Sequence, residues 1–312
     1  MKSSFWNQRS ADLVLAFVGA CWGLSYITMK FVMAEMTPFW MASFRFLFAF
    51  SLVALVFFKK LKETNVEIMK AAAIVGAFDA LIFLTLLQGL GDTSVTNAGF
   101  LCSTSVVIVP IIHAIIVKKL PSKRVVFCCL IAIVGIGFMS LKGSLTFSPE
   151  DLWCLACAFA YAGWVLTTCH FAKKLDSLLV GIWQLFFTFV YLTIYSLFTE
   201  SFSLPTSSIG WVNLLIMAFL CTGFGFVMQT VAQRYTSPEH ASLMFCLEPV
   251  SASILGFFIL GEVVELRAYF GAFLILLAVV LSNLRKPGES TTVEPAEKHE
   301  IAQDTAAHAA IK

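Results

Sequence analysis

Two carboxylates stand where a carboxylate is costly. Asp79 sits among Ala77, Phe78, Ala80 and Leu81, and Glu248 lies between Leu247 and Pro249. Each is near the middle of a long apolar run, where an ionisable side chain is by default a candidate for function because hydrocarbon does not solvate charge. Asp79 is a candidate to take up and release a proton, or to pair with a cation from another helix, with Arg45 and Lys30 as conceivable partners. The proline after Glu248 removes a backbone hydrogen bond and bends a helix, freeing a carbonyl near position 245. A carboxylate beside such a break suits a cation or a proton. Equally, it can hydrogen-bond a neighbouring helix and fix packing.

Other groups join these two. Arg45 is about 10 Å inside its run at 1.5 Å per residue, deep enough to meet an anionic substrate group or to snorkel back to the interface. Gln184, Gln229 and Gln233 are amides that can bind a zwitterion without the penalty of a buried charge. Their alternative is interhelical hydrogen bonding. Trp22, Tyr26, Phe224 and Phe226 flank Gly23, Ser25, Gly223 and Gly225, and glycines at that density allow close helix approach or local unwinding beside a cavity. His113 and His170 lie close to Lys118 and Lys173 and read as interfacial. Cys154 and Cys157 form a C-x-x-C with no second pair or histidine at ligand spacing, so packing is expected of them and no metal site. No cofactor is implied. There is no phosphate-binding G-x-x-x-x-G-K-[ST], no H-E-x-x-H and no nucleophile with a base at motif spacing, so no catalytic residues are assigned.

The elements that position these groups follow from composition. Of 312 residues, 59% are apolar and 13% charged, with a mean hydropathy of +0.87. A soluble domain of this make-up lacks polar surface, so the chain is expected to be an all-α integral membrane protein with the lipid bilayer as its surroundings. The small net charge of +2 argues against nucleic acid as a partner. Apolar runs near the 20 residues or so that a bilayer needs occur at 11–33, 38–58, 68–90, 95–117, 123–141, 150–171, 177–198, 209–230, 239–260 and 266–284. The first is too long for a signal peptide and is read as retained. Lys and Arg segregate, fifteen on one set of connections and three on or near the other, which predicts both termini in the cytoplasm. Residues 1–10 form a cytoplasmic N-terminus, and from Arg285 to Lys312 the composition is that of a disordered cytoplasmic tail.

The halves repeat. Thr93-Ser94 with Asn97-Ala98 corresponds to Thr236-Ser237 with His240-Ala241, Arg45 to Gln184, and Ala20-Cys21-Trp22-Gly23 to Ala160-Tyr161-Ala162-Gly163. The expected division is 11–141 for one five-helix unit, 142–149 for an outer loop and 150–284 for the second unit. Five is odd, so the units must be inverted in the membrane, a signature of transporters.

At this point the chain resembles a known family. The run from Gln229 to Pro238, then Ala241-Ser242-Leu243, Leu247-Glu248-Pro249-Val250 and Leu260-Gly261-Glu262 resembles the second domain of EamA proteins in the drug/metabolite transporter superfamily. Trp22-Gly23, Lys30, Arg45-Phe46, Thr93-Ser94 and Asn97-Ala98-Gly99-Phe100 resemble the first. The resemblance covers 11–285 and implies ten transmembrane helices as two inverted repeats around a central cavity for small metabolites. The first half departs from it. Lys118-Lys119-Leu120-Pro121-Ser122 stands where a Gly-Glu is usual, Val106 stands opposite Pro249 with Pro110 displaced, and Gln88 aligns with neither Gln229 nor Gln233.

The expectation is a secondary transporter of the bacterial inner membrane. It would export amphipathic metabolites such as amino acids by alternating access, with Asp79 and Glu248 as coupling candidates. Trp22, Tyr26, Gln184, Phe224, Phe226 and Gln229 are its substrate-binding candidates. Arg45, Pro110, Pro249 and Glu262 are its structural or gating candidates. Its partners would be a small-molecule substrate and, as an open alternative, a second copy in a homodimer. Import and a non-transporting sensor or scaffold are the competing readings.

Overall fold

Helix starts are written in the local sequence. Asn7 and Ser10 form a reciprocal capping box that opens α1 (Gln8–Met33). Pro38 takes the first turn of α2 (Pro38–Val56), where its missing N–H costs nothing. Asp176 accepts from the Leu178 and Leu179 amides to start α7 (Ser177–Thr199). Ser207 caps α8 (Ser208–Gln233), and Ser237 with Pro238 opens α9 (Pro238–Leu260). The remaining helices are α3 (Val66–Gly89), α4 (Leu101–Val117), α5 (Lys123–Ser140), α6 (Asp151–Lys174) and α10 (Leu266–Asn283). The structure, a computed structural model, describes residues 6–89, 101–140, 151–261 and 265–284.

Among the described residues, nine helices are long and apolar enough to cross a membrane, and α4 is a shorter apolar helix. The spans expected at 68–90 and 95–117 reach into residues 90–100, outside the described residues. Where both ends are described, the helices lie within three residues of the predicted spans.

Three helices carry an irregularity that matters for the site. In α8, residues Met217–Phe224 wind as a π-helix. In α9 the helix is interrupted at Cys246, three residues before Pro249, and in α4 at Thr104. Both α4 and α9 end in a left-handed residue, Lys118 at φ 55° and Gly261 at φ 66°. The lysine thus does in the first half what glycine does in the second, at a steric cost of about 1 kcal/mol for a residue carrying Cβ.

Packing is pairwise. The α3 helix lies against α6 and α7, α1 against α8 and α9, α2 against α7 and α8, and α4 against α6. At the periphery α5 meets α10 through two glycines, and a Cβ on Gly135 would sit 2.7 Å from the Gly271 carbonyl oxygen. Trp164, Phe46, Leu15 and Met41 are fully enclosed, while Phe198, Phe258 and Leu266 stand on an apolar exterior that suits lipid rather than water.

Candidate functional site

An aromatic cluster fills the centre. Trp22 of α1 packs against Trp164 of α6, Phe226 of α8 and Phe245 of α9, with ring centroids 5.8, 5.1 and 5.0 Å away. Its indole Nε1 donates to the Cys221 carbonyl at 2.9 Å. That carbonyl is available because the Gly225 amide bonds instead to Leu220 and Thr222 at the end of the π-helix. Gly225 also makes room, since a Cβ there would lie 2.9 Å from the indole nitrogen. Trp22 and Phe226, two of the binding candidates, are thus brought together. Phe224 does not. It is 39% exposed and meets Phe17 edge-on on the outside of the helix array. Two residues along a helix are about 200° apart, so Phe224 and Phe226 face opposite ways.

Arg45 is only 2% exposed, so of the two positions open to it the side chain takes the enclosed one and does not reach back to the interface. Its Nε donates to Thr222 Oγ1 at 2.8 Å, and the guanidinium stands 5.7 Å from the Phe46 ring centre and 5.1 Å from that of Phe83. The hydroxyl that receives it is itself turned by the π-helix, donating to the Met217 carbonyl five residues back at 3.0 Å. Asp79, Glu248 and Tyr26 all lie in the electrostatic field of Arg45. Asp79 is 1% exposed. One of its oxygens lies 3.0 Å from the Thr188 hydroxyl and the other has no hydrogen-bond partner among the described residues. Glu248 is half-buried and faces Tyr26, which is 44% exposed although it sits inside α1. Within α1, then, an exposed tyrosine stands beside a carboxylate of the second half of α9. Tyr161 stands close by.

The glutamines form a second cluster. Gln184 Nε2 donates to Thr230 Oγ1 at 3.0 Å and to the Phe226 carbonyl at 3.2 Å. The Thr230 hydroxyl lies 3.0 Å from Gln229 Oε1, and Gln233 Oε1 receives the Cys169 thiol at 3.5 Å. Thr188, Thr222, Thr230, Trp164 and Phe245 had not been singled out from sequence. The pairs Gln184 with Thr188, and Gln229 with Gln233, were there to be read as i, i+4 neighbours on one helix face.

Of the remaining candidates, Pro249 is half-buried just past the interruption of α9, and Pro110 is buried within α4. Glu262 lies outside the described residues. All nine cysteines are free, with Cys154 and Cys157 buried, and Cys102 reaches the Cys154 carbonyl at 3.6 Å. No cluster of three His, Cys, Asp or Glu among the described residues stands at metal-binding distance.

The two ends of the helix array are held differently. At the lysine-rich face, His113 of α4 is bonded to Glu239 of α9, and His240 lies 3.5 Å from Asp12 of α1. His113, Glu239 and His240 line a recess of about 390 Å³ with Lys119, Ser122 and Ser237. Lys60 bonds Glu63 and Asp176, and the two carboxylates hold it above the usual lysine range. The first half of α9 packs here on α4, α5 and α6 as well as on α1 and α10, while its second half packs chiefly on α1. At the opposite face the α1–α2 and α7–α8 connections are tied together. Glu35 accepts from the Thr206 and Ser207 amides at 2.8 and 2.9 Å, and bonds to Ser207 and Thr206 hold its carboxyl at about 2. Glu200 caps α2, accepting from the Phe39 and Trp40 amides.

Known proteins extend the picture. The model of the EamA-like transporter family matches residues 9–141 and 148–284. A protein of Archaeoglobus fulgidus named uncharacterized transporter is 34% identical over 88% of this chain and 86% of its own. The uncharacterized transporter YetK of Bacillus subtilis is 24% identical over 90% and 88%, and the uncharacterized inner membrane transporter YicL of Salmonella typhimurium is 24% identical over 89% and 96%. A solved crystal structure at 15% identity superposes with a TM-score of 0.74 over 88% of this chain and 96% of that one.

Proposed function

The chain belongs to the EamA-like transporter family, and from that premise we propose that it exports small amphipathic metabolites, amino acids among them, across the cell membrane by alternating access. It does so as ten transmembrane helices in two inverted repeats, with both termini in the cytoplasm. The observation that carries this reading is the pairing of helices. Exchanging the halves turns the α1–α9 contact into α6–α4, α1–α8 into α6–α3 and α2–α8 into α7–α3, while α2–α7 and α5–α10 pair across the halves. The left-handed caps at Lys118 and Gly261, 143 residues apart, support the same correspondence.

In this reading the lysine-rich face is cytoplasmic, and the state described is closed there by His113 with Glu239 and open outward between Tyr26 and Glu248. Trp22, Trp164, Phe226 and Phe245 supply the apolar wall of the substrate site. Tyr26, Gln184 and Gln229 supply its polar contacts. Asp79 and Glu248 carry protons in exchange for substrate. Asp79 suits that role because its hydroxyl neighbour Thr188 can accept from the acid or donate to the carboxylate. Arg45 balances the charge of whichever carboxylate is ionised.

The test compares metabolites by mass spectrometry in medium and extract of cells making wild type or Asp79→Asn with Glu248→Gln at equal membrane levels. The expected result is one class of solute depleted inside and enriched outside with wild type only. Export unchanged in the double variant contradicts the carboxylate roles. Inward accumulation, or no change for any solute, contradicts export.

A further inference from the structure

Between α3, α6, α7 and α8, from the lysine-rich face to about mid-membrane, buried polar atoms recur without partners. Gln184 Oε1, Gln229 Nε2, Gln233 Nε2, Thr168 Oγ1, Trp164 Nε1 and Asp79 Oδ1 are all enclosed and unbonded among the described residues. Their side chains are nonetheless ordered by bonds at their other ends. Gln229 and Gln184 share the Thr230 hydroxyl, and Thr188 joins the Gln184 carbonyl, at 2.9 Å, to Asp79. Each amide thus has one end fixed and one end presented.

These groups also form a series in depth. At 1.5 Å per residue from the lysine-rich ends of their helices, Gln233 is at the end itself and Gln229 about 6 Å in. Thr168 and Gln184 follow at about 10 Å, Trp164 at about 15 Å and Asp79 at about 20 Å. Arg234, the residue after Gln233, is exposed. Apolar packing alone would not place five donors and acceptors at successive levels between the solvent-exposed Arg234 and a buried carboxyl. A buried water makes about three hydrogen bonds and settles where two to four polar groups converge.

We infer that Gln233, Gln229, Thr168 and Gln184 hold a file of internal waters linking Asp79 with the lysine-rich face, through which the Asp79 carboxyl exchanges protons with that side in the state described. The proton function rests on reading Asp79 as a carrier; the water file does not. The two glutamines of α8 anchor its outer end. A water there can accept from the amide nitrogens and pass a hydrogen bond to Thr168. Gln184 Oε1 and Asp79 Oδ1 accept at the inner end.

Hydroxyl-radical footprinting of the purified protein in nanodiscs, read by mass spectrometry, tests this without any substrate, because radicals made from bound water oxidise the side chains beside it. Cys169, 2% exposed and bonded to Gln233, is the deciding reporter, Trp164, 1% exposed and also in the wall of the proposed substrate site, reports beside it, and Cys128 in α5, 0% exposed, is the dry reference. Cys169 and Trp164 are expected to oxidise about tenfold faster than their burial allows, with Cys128 slow. Gln233→Leu and Gln229→Leu with Gln233→Leu are expected to slow both reporters and leave Cys128 unchanged. Reporters as slow as Cys128 in wild type overturn the inference whatever the variants do. Fast labelling unchanged by the substitutions overturns the assignment of the glutamines as holders. Wet reporters in a protein whose transport ignores Asp79→Asn would leave the file standing and refute the carrier. A dry seam with transport lost in Asp79→Asn would do the reverse.

Discussion

At the scale of single residues, buried polar groups here depend on partners far away in sequence. Arg45 depends on Thr222, 177 residues on, and Asp79 on Thr188. Thr222→Val leaves the Arg45 Nε–H buried and unpaired and is expected to destabilise the purified protein by about 2 kcal/mol, the range for a lost bond to a charged group. Thr222→Ser should be near neutral. Equal unfolding of Val and wild type in a denaturant titration would show the bond to be idle. Glu35 gives a prediction in pH. Its carboxyl is held at about 2 against an ordinary 4.5, so the folded state binds its proton less readily than the unfolded state. The stabilisation is complete above pH 4.5 and is lost as pH falls toward 2. Melting temperatures of wild type and Glu35→Gln should differ near neutral pH and converge across that window. A gap that is constant with pH would refute the cause. The chemistry-bearing residues were legible one at a time, since a carboxylate in an apolar run declares itself. Their partners were not, because Thr188, Thr222 and Thr230 are ordinary membrane-helix threonines until another helix brings them a donor or acceptor.

At the scale of elements, the spans were legible because a run near 20 apolar residues has few other fates. Their ends moved by up to three residues where a local cap extended the helix, as Asn7 with Ser10 does for α1. The π-helix of α8 had no comparable signal. Gly223 and Gly225 marked a place of looseness, but the widened turn is read only with its partners in place, Trp22 on the Cys221 carbonyl and Arg45 on Thr222. Which of Phe224 and Phe226 faces inward depends on that turn, so sequence named both. The break in α9 was better marked, by Pro249. Lys118 offers a test of the helix ends. Because it occupies the left-handed position that Gly261 fills in the second half, Lys118→Gly should raise stability by about 1 kcal/mol, seen as a higher melting temperature. A lower one would mean the lysine side chain is needed where it stands.

At the scale of the whole molecule, the two faces do different work. The connections at the face opposite the lysines are tied by neutral hydroxyls and amides around Glu35 and Glu200. The lysine-rich face closes through ionisable pairs between α1, α4 and α9, and such pairs can part and reform. The inverted repeat we propose is argued from sequence, because an odd number of spans per half forces inversion. What the halves close against each other was not legible there, because His113 and Glu239 are unremarkable until α4 and α9 cross. The central claim is that one site is exposed to the two sides in turn. The direct measurement is labelling of Tyr26→Cys and Thr168→Cys by an impermeant maleimide from each side, above the wild-type baseline, with and without a disulfide between His113→Cys and Glu239→Cys. The account predicts that Tyr26→Cys reacts from outside, that Thr168→Cys reacts from the cytoplasm, and that the cross-link abolishes the second while leaving the first. Both reacting together regardless of the cross-link would make the protein a channel, and neither reacting would contradict alternating access.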